Sequence, residues 1–145
     1  MESIRVKKLN KNAFLPTYGS AEAAGADLYA CLEETVVIQP GQTAWIPTGI
    51  ALEVPKGCAG LVYARSSMGA KRGLAPANKV GVIDSDYRGE IRVVLLNHSK
   101  QVQTVEHGER VAQFLITPVV TPAYVEAEEL TDTGRGVGGF GSTGK

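Results

Sequence analysis

Short runs rich in β-branched and aromatic residues, separated by turns at intervals of about ten residues, most constrain how this chain folds. Pro40-Gly41, Pro55-Lys56-Gly57 and His107-Gly108 are typical turn sequences. Residues 66–74 form the one segment that could carry a short helix. We predict strands over residues 4–9, 35–38, 42–48, 50–54, 59–64, 89–97, 103–105, 110–119 and 123–126. This pattern indicates an all-β antiparallel sandwich, jelly roll or barrel with a single core.

The glycine-rich residues 135–145 form a segment that we expect to bind phosphate. Glycine lets several backbone amides converge on anionic oxygens, and Arg135 adds a cation at the start of the segment. Phe140 stands among the glycines, which suggests that a flat group lies against it when the segment orders. A phosphate and a ring together indicate a nucleotide. We therefore predict a β domain over residues 1–134 and a flexible covering arm over residues 135–145.

Two other interpretations of this segment are possible. Residues 139–145 match the start of a P-loop, G-x-x-x-x-G-K, but a P-loop needs a strand before it, a helix after it and a metal-binding Ser or Thr after the lysine. The sequence does not offer that context, so we do not expect a P-loop NTPase. A disordered Gly/Ser tail is the simpler alternative, because its composition is typical of flexible linkers.

Charge and composition limit the partners that this chain can bind. It has 15 basic and 15 acidic residues and zero formal net charge, which argues against non-specific binding to nucleic acids or membranes. Cys31 and Cys58 lack metal-ligand spacing, and residues 1–5 lack an apolar signal segment. We expect reduced thiols and a cytoplasmic protein that binds neither nucleic acid nor membrane.

Two short segments combine polar groups with an apolar setting. Asp27 is a single acid within the small, apolar residues 23–30, where it could simply cap a turn. Arg65, Ser66 and Ser67 follow an apolar strand and together form a set that suits an oxyanion. The plainer interpretation of this set is ordinary capping of a helix.

Residues 78–90 are a third such segment and could form a tight hairpin. Its turn holds Asp84, Asp86 and Tyr87, while Gly81 leaves room for close backbone approach. Solvated turn charges would explain the acids alone. The nearby aromatic residue and an exposed strand edge favour a binding function instead, because free backbone groups can bind a base edge as another strand would.

Five segments, in order along the chain, resemble the five motifs of the trimeric deoxyuridine triphosphatases. They are Ala24-Gly25-Ala26-Asp27-Leu28, Arg65-Ser66-Ser67-x-Gly69, Gly81-Val82-Ile83-Asp84-x-Asp86-Tyr87-Arg88-Gly89, Arg110-x-Ala112-Gln113 and Arg135-Gly136-x-Gly138-Gly139-Phe140-Gly141-Ser142-Thr143-Gly144. The resemblance implies a jelly-roll-like fold, a homotrimer with shared active sites at its interfaces, and Mg²⁺-dependent hydrolysis of dUTP to dUMP and pyrophosphate. Such an activity limits uracil incorporation into DNA and supplies dUMP for dTMP synthesis.

The resemblance also implies a role for each matching residue. Asp84 would deprotonate the water that attacks the α-phosphorus, and Tyr87 would pack under the deoxyribose and exclude a 2′-hydroxyl. Asp27 would contact Mg²⁺ only through water. The uracil edge would be bound by Asn78, Gly81, Val82 and Ile83, and the ring would stack on Phe140. The phosphates would be bound by Arg65, Ser66, Ser67, Gln113, Arg135, Gly141, Ser142 and Thr143. Asp86 would support the site by pairing with Arg65.

Two alternatives within the same fold stay open. Ser67 stands where many relatives have glycine, and the Arg-Ser-Ser sequence also occurs in dCTP deaminases. Those enzymes carry a catalytic glutamate in the strand before an asparagine, where this chain has Val94. The other alternative is a non-catalytic, nucleotide-sensing trimer, which the presence of Asp84, Arg135 and Phe140 disfavours.

Overall fold

The computed structural model describes residues 3–141, which form a β protein with one short helix among them. The elements in chain order are β1 (Val6–Lys8), β2 (Thr17–Tyr18), β3 (Ala26–Tyr29), β4 (Val36–Ile38), β5 (Thr43–Pro47), β6 (Ile50–Leu52), β7 (Cys58–Tyr63), a π-helix (Ser67–Arg72), β8 (Leu74–Pro76), β9 (Gly81–Ile83), β10 (Arg92–Asn97), β11 (Gln103–Val105) and β12 (Arg110–Pro118). The all-β prediction is confirmed, and the helix lies where the sequence allows one. Over residues 3–141, no helix has the length and apolar character needed to cross a membrane.

The strands form antiparallel sheets that pack around one core. A five-stranded sheet has the order β2-β3-β12-β7-β9, and a three-stranded sheet has the order β5-β10-β8. The pairs β1-β6 and β4-β11 complete the sandwich. Alternate residues of β10 face inward, so Val93 and Leu95 are buried while Arg92 is exposed. The core between the sheets includes Leu28, Ile46, Val62, Ile91, Val111 and Phe114.

The strands differ from the predicted ones where local sequence is a weak guide. β3 lacks β-branched residues and is held instead by its neighbours β2 and β12. The strand predicted over residues 123–126 is wrong, because the described residues after β12 form no strand. Those residues have no neighbouring strand of their own chain to bond their backbone groups.

The chain leaves the sandwich at the end of β12. Val119 N still donates to Gly57 O at 2.9 Å, but almost every residue from there to residue 141 is exposed. Val120, Tyr124 and Leu130 are 92%, 98% and 89% exposed. This segment therefore presents apolar surface that its own chain does not cover.

Candidate active site

Asp27 lies in β3 and binds two arginines from distant parts of the sequence. Its Oδ1 accepts a hydrogen bond from Arg65 Nε at 2.6 Å, and its Oδ2 accepts one from Arg110 Nη1 at 3.3 Å. The Asp27 side chain is only 12% exposed, so these charge-assisted bonds replace most of its hydration. The interpretation of Asp27 as a turn cap is therefore wrong, since the residue lies within a strand and bonds across the sheet.

Ser66 and Ser67 lie at the start of the π-helix, just after β7. Arg65 Nη1 donates to Ser67 Oγ at 3.0 Å. Arginine has no acceptor, so the Ser67 hydroxyl accepts this bond and keeps its own proton for another group. Ser66 is exposed at the N-cap position, and its side chain makes no capping hydrogen bond. Capping therefore does not account for Ser66, and both hydroxyls can donate to an anion.

Gln113 lies on β12 beside these groups. It is opposite Asp27 on β3 and Tyr63 on β7 in the sheet register. Its Nε2 donates to Ala64 O at 2.8 Å, and a Cβ at Gly25 would lie 2.7 Å from its Oε1. Glycine therefore makes room for the amide, whose second N–H is left for a ligand. We call the residues that meet here the arginine cluster: Asp27, Arg65, Ser66, Ser67, Arg110 and Gln113.

β9 is an edge strand of the five-stranded sheet. Gly81, Val82 and Ile83 pair with β7 on one side, and no described strand pairs with the other side. A cavity of about 70 Å³ beside β9 is lined in part by Asn78 and Val94. A Cβ at Gly81 would lie 3.3 Å from Asn78 Nδ2, so glycine lets that amide approach the strand. The free strand edge and the amide can together bind a flat polar ring.

The turn after β9 carries four exposed side chains, those of Asp84, Asp86, Tyr87 and Arg88. Tyr87 N donates to Asp84 O at 3.2 Å and closes the turn. The Tyr87 hydroxyl donates to Glu90 O at 3.0 Å, which holds the ring near the backbone. An exposed carboxylate and the side of an aromatic ring are thus both available to a ligand.

The turn that carries Asp84 is separate from the arginine cluster within one chain. The row of paired residues through Gln113 and Tyr63 meets β9 one residue before Gly81. Asp84 is three residues beyond Gly81 and therefore four residues beyond that row. At roughly 3.3 Å per residue, it lies about 13 Å from the row along the strand direction. Two strand spacings of about 4.8 Å also separate the lines of β9 and β12.

Arg135 and Phe140 lie in a segment whose described hydrogen bonds are local. Arg135 Nε donates to Gly138 O at 2.6 Å. Phe140 is fully exposed and has a φ of 51°, and Gly141 has a φ of 87°. Over residues 120–141, the described hydrogen bonds connect the segment only to itself. The remaining predicted ligands, Ser142 and Thr143, lie outside the described residues.

The surroundings of Asp27 limit how Mg²⁺ could be held. Both carboxylate oxygens accept bonds from arginines, so direct coordination by this residue does not fit. Each oxygen keeps a second lone pair, and Mg²⁺ usually retains several waters. Across residues 3–141, no group of three or more His, Cys, Asp or Glu is placed to hold a metal. The residues therefore fit a hydrated ion that is bound mainly by a ligand's phosphates.

Three observations correct or extend the sequence-based assignments. The expected pairing of Arg65 with Asp86 is wrong within this chain, because Arg65 bonds Asp27 and Ser67 instead. No role is assigned from sequence to Arg110, which is the first residue of the fourth motif, or to Glu90, which directly follows the third motif. The charge of each residue, next to a motif, was the only sequence signal that could have identified it. The partner that each residue binds depends on the tertiary fold.

Cys31 is a buried free thiol and does not supply a nucleophile. Burial raises the pKa of the Cys31 thiol, and the nearby Glu90 carboxylate raises it further, while Lys8 opposes the shift. The thiol is therefore protonated at neutral pH and weakly reactive.

Comparison with known proteins gives one consistent result. A family model described as dUTPase matches residues 11–144. The deoxyuridine 5'-triphosphate nucleotidohydrolase of Nautilia profundicola is 48% identical over 142 residues, covering 98% of this chain and 99% of the relative. The dUTPase of Staphylococcus bacteriophage 80alpha, solved with dUPNHPP, has 31% identity and a TM-score of 0.90 over 100% of both chains. A mutant dUTPase of phage phi11 of S. aureus, solved with a structural Mg(II) ion, has 25% identity and a TM-score of 0.81 over 90% of this chain and 100% of that chain.

Proposed function

Because this chain belongs to the dUTPase family, we propose that it hydrolyses dUTP to dUMP and pyrophosphate. The observation that carries this proposal is the free edge of β9 beside a small cavity, with the Asn78 amide next to Gly81. A uracil ring presents alternating acceptors and a donor along one edge, which suits strand backbone groups and an amide. We expect the pocket at this edge to exclude a 5-methyl group, and rejection of dTTP tests that expectation.

Tyr87 and Phe140 complete recognition of the nucleoside. The Tyr87 ring is held by its hydroxyl bond to Glu90 O, so it would lie under the sugar and leave no space for a 2′-hydroxyl. Phe140 is fully exposed and belongs to the arm, so it would cover the free face of the base. Stacking on an aromatic side chain is favourable for any base, so selectivity rests on the strand edge and on Tyr87.

Asp84 is the residue that we propose as the general base. Its exposed carboxylate would take a proton from a water whose oxygen attacks the α-phosphorus. The bond between the α-phosphorus and the oxygen bridging to the β-phosphorus breaks, and pyrophosphate leaves with the electron pair. The proton on Asp84 then returns to solvent.

The arginine cluster and the arm would bind the triphosphate. Ser66 and Ser67 have hydroxyl protons to donate, and Gln113 has one free amide N–H for the α-phosphate. Arg65 is committed to Asp27, so it would set the local charge and hold Ser67 rather than bind phosphate end-on. The arm would contribute Arg135, Gly141, Ser142 and Thr143 to the γ-phosphate. Mg²⁺ would supply charge neutralisation on the phosphates, with Asp27 contacting its waters.

We propose that the active protein is a homotrimer in which each site is shared. Within one chain the Asp84 turn and Gln113 lie on different strands and well apart along the strand direction. The described hydrogen bonds of the arm lie only within residues 133–138, and its Val137 and Phe140 side chains are fully exposed. Both observations support a site in which base, phosphate donors and arm come from different copies.

The proposed setting is the cytoplasm, where both cysteines would stay reduced and where dUTP removal limits uracil incorporation into DNA. The proposal is tested by measuring pyrophosphate release from dUTP, dCTP, dTTP and UTP in the presence of Mg²⁺. We expect hydrolysis of dUTP and strong rejection of the other three nucleotides. Comparable turnover of UTP or dCTP would refute this account of the pocket.

A further inference from the structure

Glu90 joins the Tyr87 turn to the core of the sandwich. Its Oε1 accepts a hydrogen bond from Gly49 N at 2.9 Å, and its Oε2 accepts one from Arg92 Nε at 2.8 Å. Its backbone oxygen accepts the Tyr87 hydroxyl bond at 3.0 Å. The Glu90 side chain is only 18% exposed. One residue thus binds the Gly49 backbone and the Arg92 side chain through its carboxylate and Tyr87 through its backbone.

The donor at Gly49 is itself held firmly. Gly49 has a φ of 67°, and a Cβ there would lie 2.9 Å from both Ala13 Cβ and Cys31 Sγ. The backbone at this position therefore has little freedom to move, because buried neighbours enclose it. One oxygen of the Glu90 carboxylate is consequently anchored to the core, while the other binds the exposed Arg92 side chain.

The Tyr87 ring packs against the backbone of the two residues that follow the turn, Gly89 and Glu90. A Cβ at Gly89 would collide with the ring, so the ring lies directly against the Gly89 backbone. Tyr87 also lines a cavity of about 290 Å³ together with Trp45, Ile83 and Arg92. The Gly89 backbone behind the ring and Glu90 O at its hydroxyl limit how far the ring can move toward the sandwich.

We infer that Glu90 is a positioning residue for sugar selection and acts through Tyr87. This inference rests on the proposed function, because it concerns how the same site rejects a ribonucleotide. A ring that is anchored cannot yield to a 2′-hydroxyl, whereas a ring whose supporting carbonyl can shift will accommodate one. Small displacements of positioning groups change reaction rates strongly. Loss of the carboxylate therefore raises the activity on UTP relative to dUTP.

The test measures kcat and KM for dUTP and UTP in the wild-type protein and in three variants. Glu90→Gln keeps the shape but loses the charged bond to Arg92, and Arg92→Met removes that bond from the other side. Glu34→Gln is the matched control, because Glu34 is exposed and no hydrogen bond or ion pair involves it in the part of the chain described. We expect the ratio of kcat/KM for dUTP to that for UTP to fall about tenfold in Glu90→Gln. The dUTP kcat should stay within about threefold of wild type, since Asp84 is untouched.

A second readout uses Trp45, the single tryptophan of the sequence. Trp45 lines the same cavity as Tyr87 and Glu90, so its emission should change on binding a non-hydrolysable dUTP analogue. We expect that change to be smaller in both test variants and normal in Glu34→Gln. A general loss of stability would not give this result, because the molecules that remain folded would show the same emission change on binding the analogue as the wild-type protein.

The outcomes distinguish failure of the proposed function from failure of the role of Glu90. A wild-type protein that hydrolyses UTP as well as dUTP refutes the proposed function. A wild-type protein that discriminates, together with an unchanged dUTP-to-UTP ratio in folded Glu90→Gln, refutes the role of Glu90 alone. Should Glu90→Gln not fold, Arg92→Met decides, and a ratio within about twofold of wild type overturns the inference.

Discussion

The Asp27 carboxylate lies 2.6 Å from Arg65 Nε, which joins two segments that are 38 residues apart in sequence. Arg110 reaches the second oxygen of the same carboxylate. Asp27 belongs to the first motif and is thereby the common partner of arginines in the second and fourth motifs. We infer that the position of Ser67, which Arg65 also binds, depends on this pair.

Asp27→Asn should destabilise the protein because two arginines lose their shared charge partner. We expect the free energy of unfolding to fall by roughly 2–4 kcal/mol, since the pair is largely shielded from water. Thermal unfolding at one fixed protein concentration measures this effect. Glu53→Gln is the control, because its ion pair with Arg5 is exposed and should contribute less than about 1 kcal/mol. Equal losses in both variants would show that Asp27 is not a structural centre.

Asp84→Asn should abolish most turnover while preserving nucleotide binding. The amide keeps the shape of the side chain but cannot accept the proton of the attacking water, so we expect kcat to fall on the order of 100-fold or more. Binding of a non-hydrolysable dUTP analogue, measured by calorimetry, should change little. Asp132→Asn makes the same chemical change at an exposed residue between β12 and the arm, and this variant should retain normal activity. Near-normal turnover in folded Asp84→Asn would mean that another group activates the water.

The sandwich was predictable from local sequence because inward-facing apolar residues alternate with outward-facing residues along its strands. In β10, Val93 and Leu95 face the core and Arg92 faces solvent, and the turns around Gly41 and Gly57 separate strands that are consecutive in sequence. The proposed arm rests on equally local signals, which are its glycine spacing and a lone aromatic residue. These features need no knowledge of which strands are neighbours.

Other features depended on partners that the sequence does not reveal. Asp27 lies in a run without β-branched residues, so a turn was the natural interpretation, although β2 and β12 hold it in a strand. The choice of Asp27 over Asp86 as the partner of Arg65 is likewise a result of sheet order. Residues 123–126 have strand-like composition but pair with no strand within residues 3–141. Local propensity was overridden by tertiary context in each case.

Complementation between two inactive variants should restore activity if each site is shared between chains. Asp84→Asn lacks the base, and a variant truncated after Gly134 lacks the arm, so each homotrimer is inactive. Mixed trimers formed by refolding the two together can unite an intact base with an intact arm. Light scattering should give the mass of a trimer for each variant. A control mixture, in which the truncated chain also carries Asp84→Asn, should stay inactive.

Two results would contradict this arrangement. One is a monomeric wild-type protein that hydrolyses dUTP at full rate. The other is a set of mixed trimers, verified by mass spectrometry of differently tagged chains, that remain inactive. The second outcome would mean that base and arm act within one chain, despite the local hydrogen bonds of residues 133–138.

Phe140→Ala tests whether the arm acts on the nucleotide or is only a flexible tail. Phe140 is fully exposed in the protein alone, so its removal exposes no cavity and should leave the thermal unfolding temperature unchanged. Stacking of a base on an aromatic side chain contributes roughly 1–3 kcal/mol, so kcat/KM for dUTP should fall by about tenfold to a hundredfold. Val137→Ala is the matched control, because Val137 is an equally exposed apolar residue of the same arm. Phe140→Trp should remain active and report closure of the arm by a change in emission when a non-hydrolysable dUTP analogue binds, measured against a Trp45→Phe background. The interpretation as a disordered tail would be favoured instead if Phe140→Ala kept a normal rate and the tryptophan gave no signal.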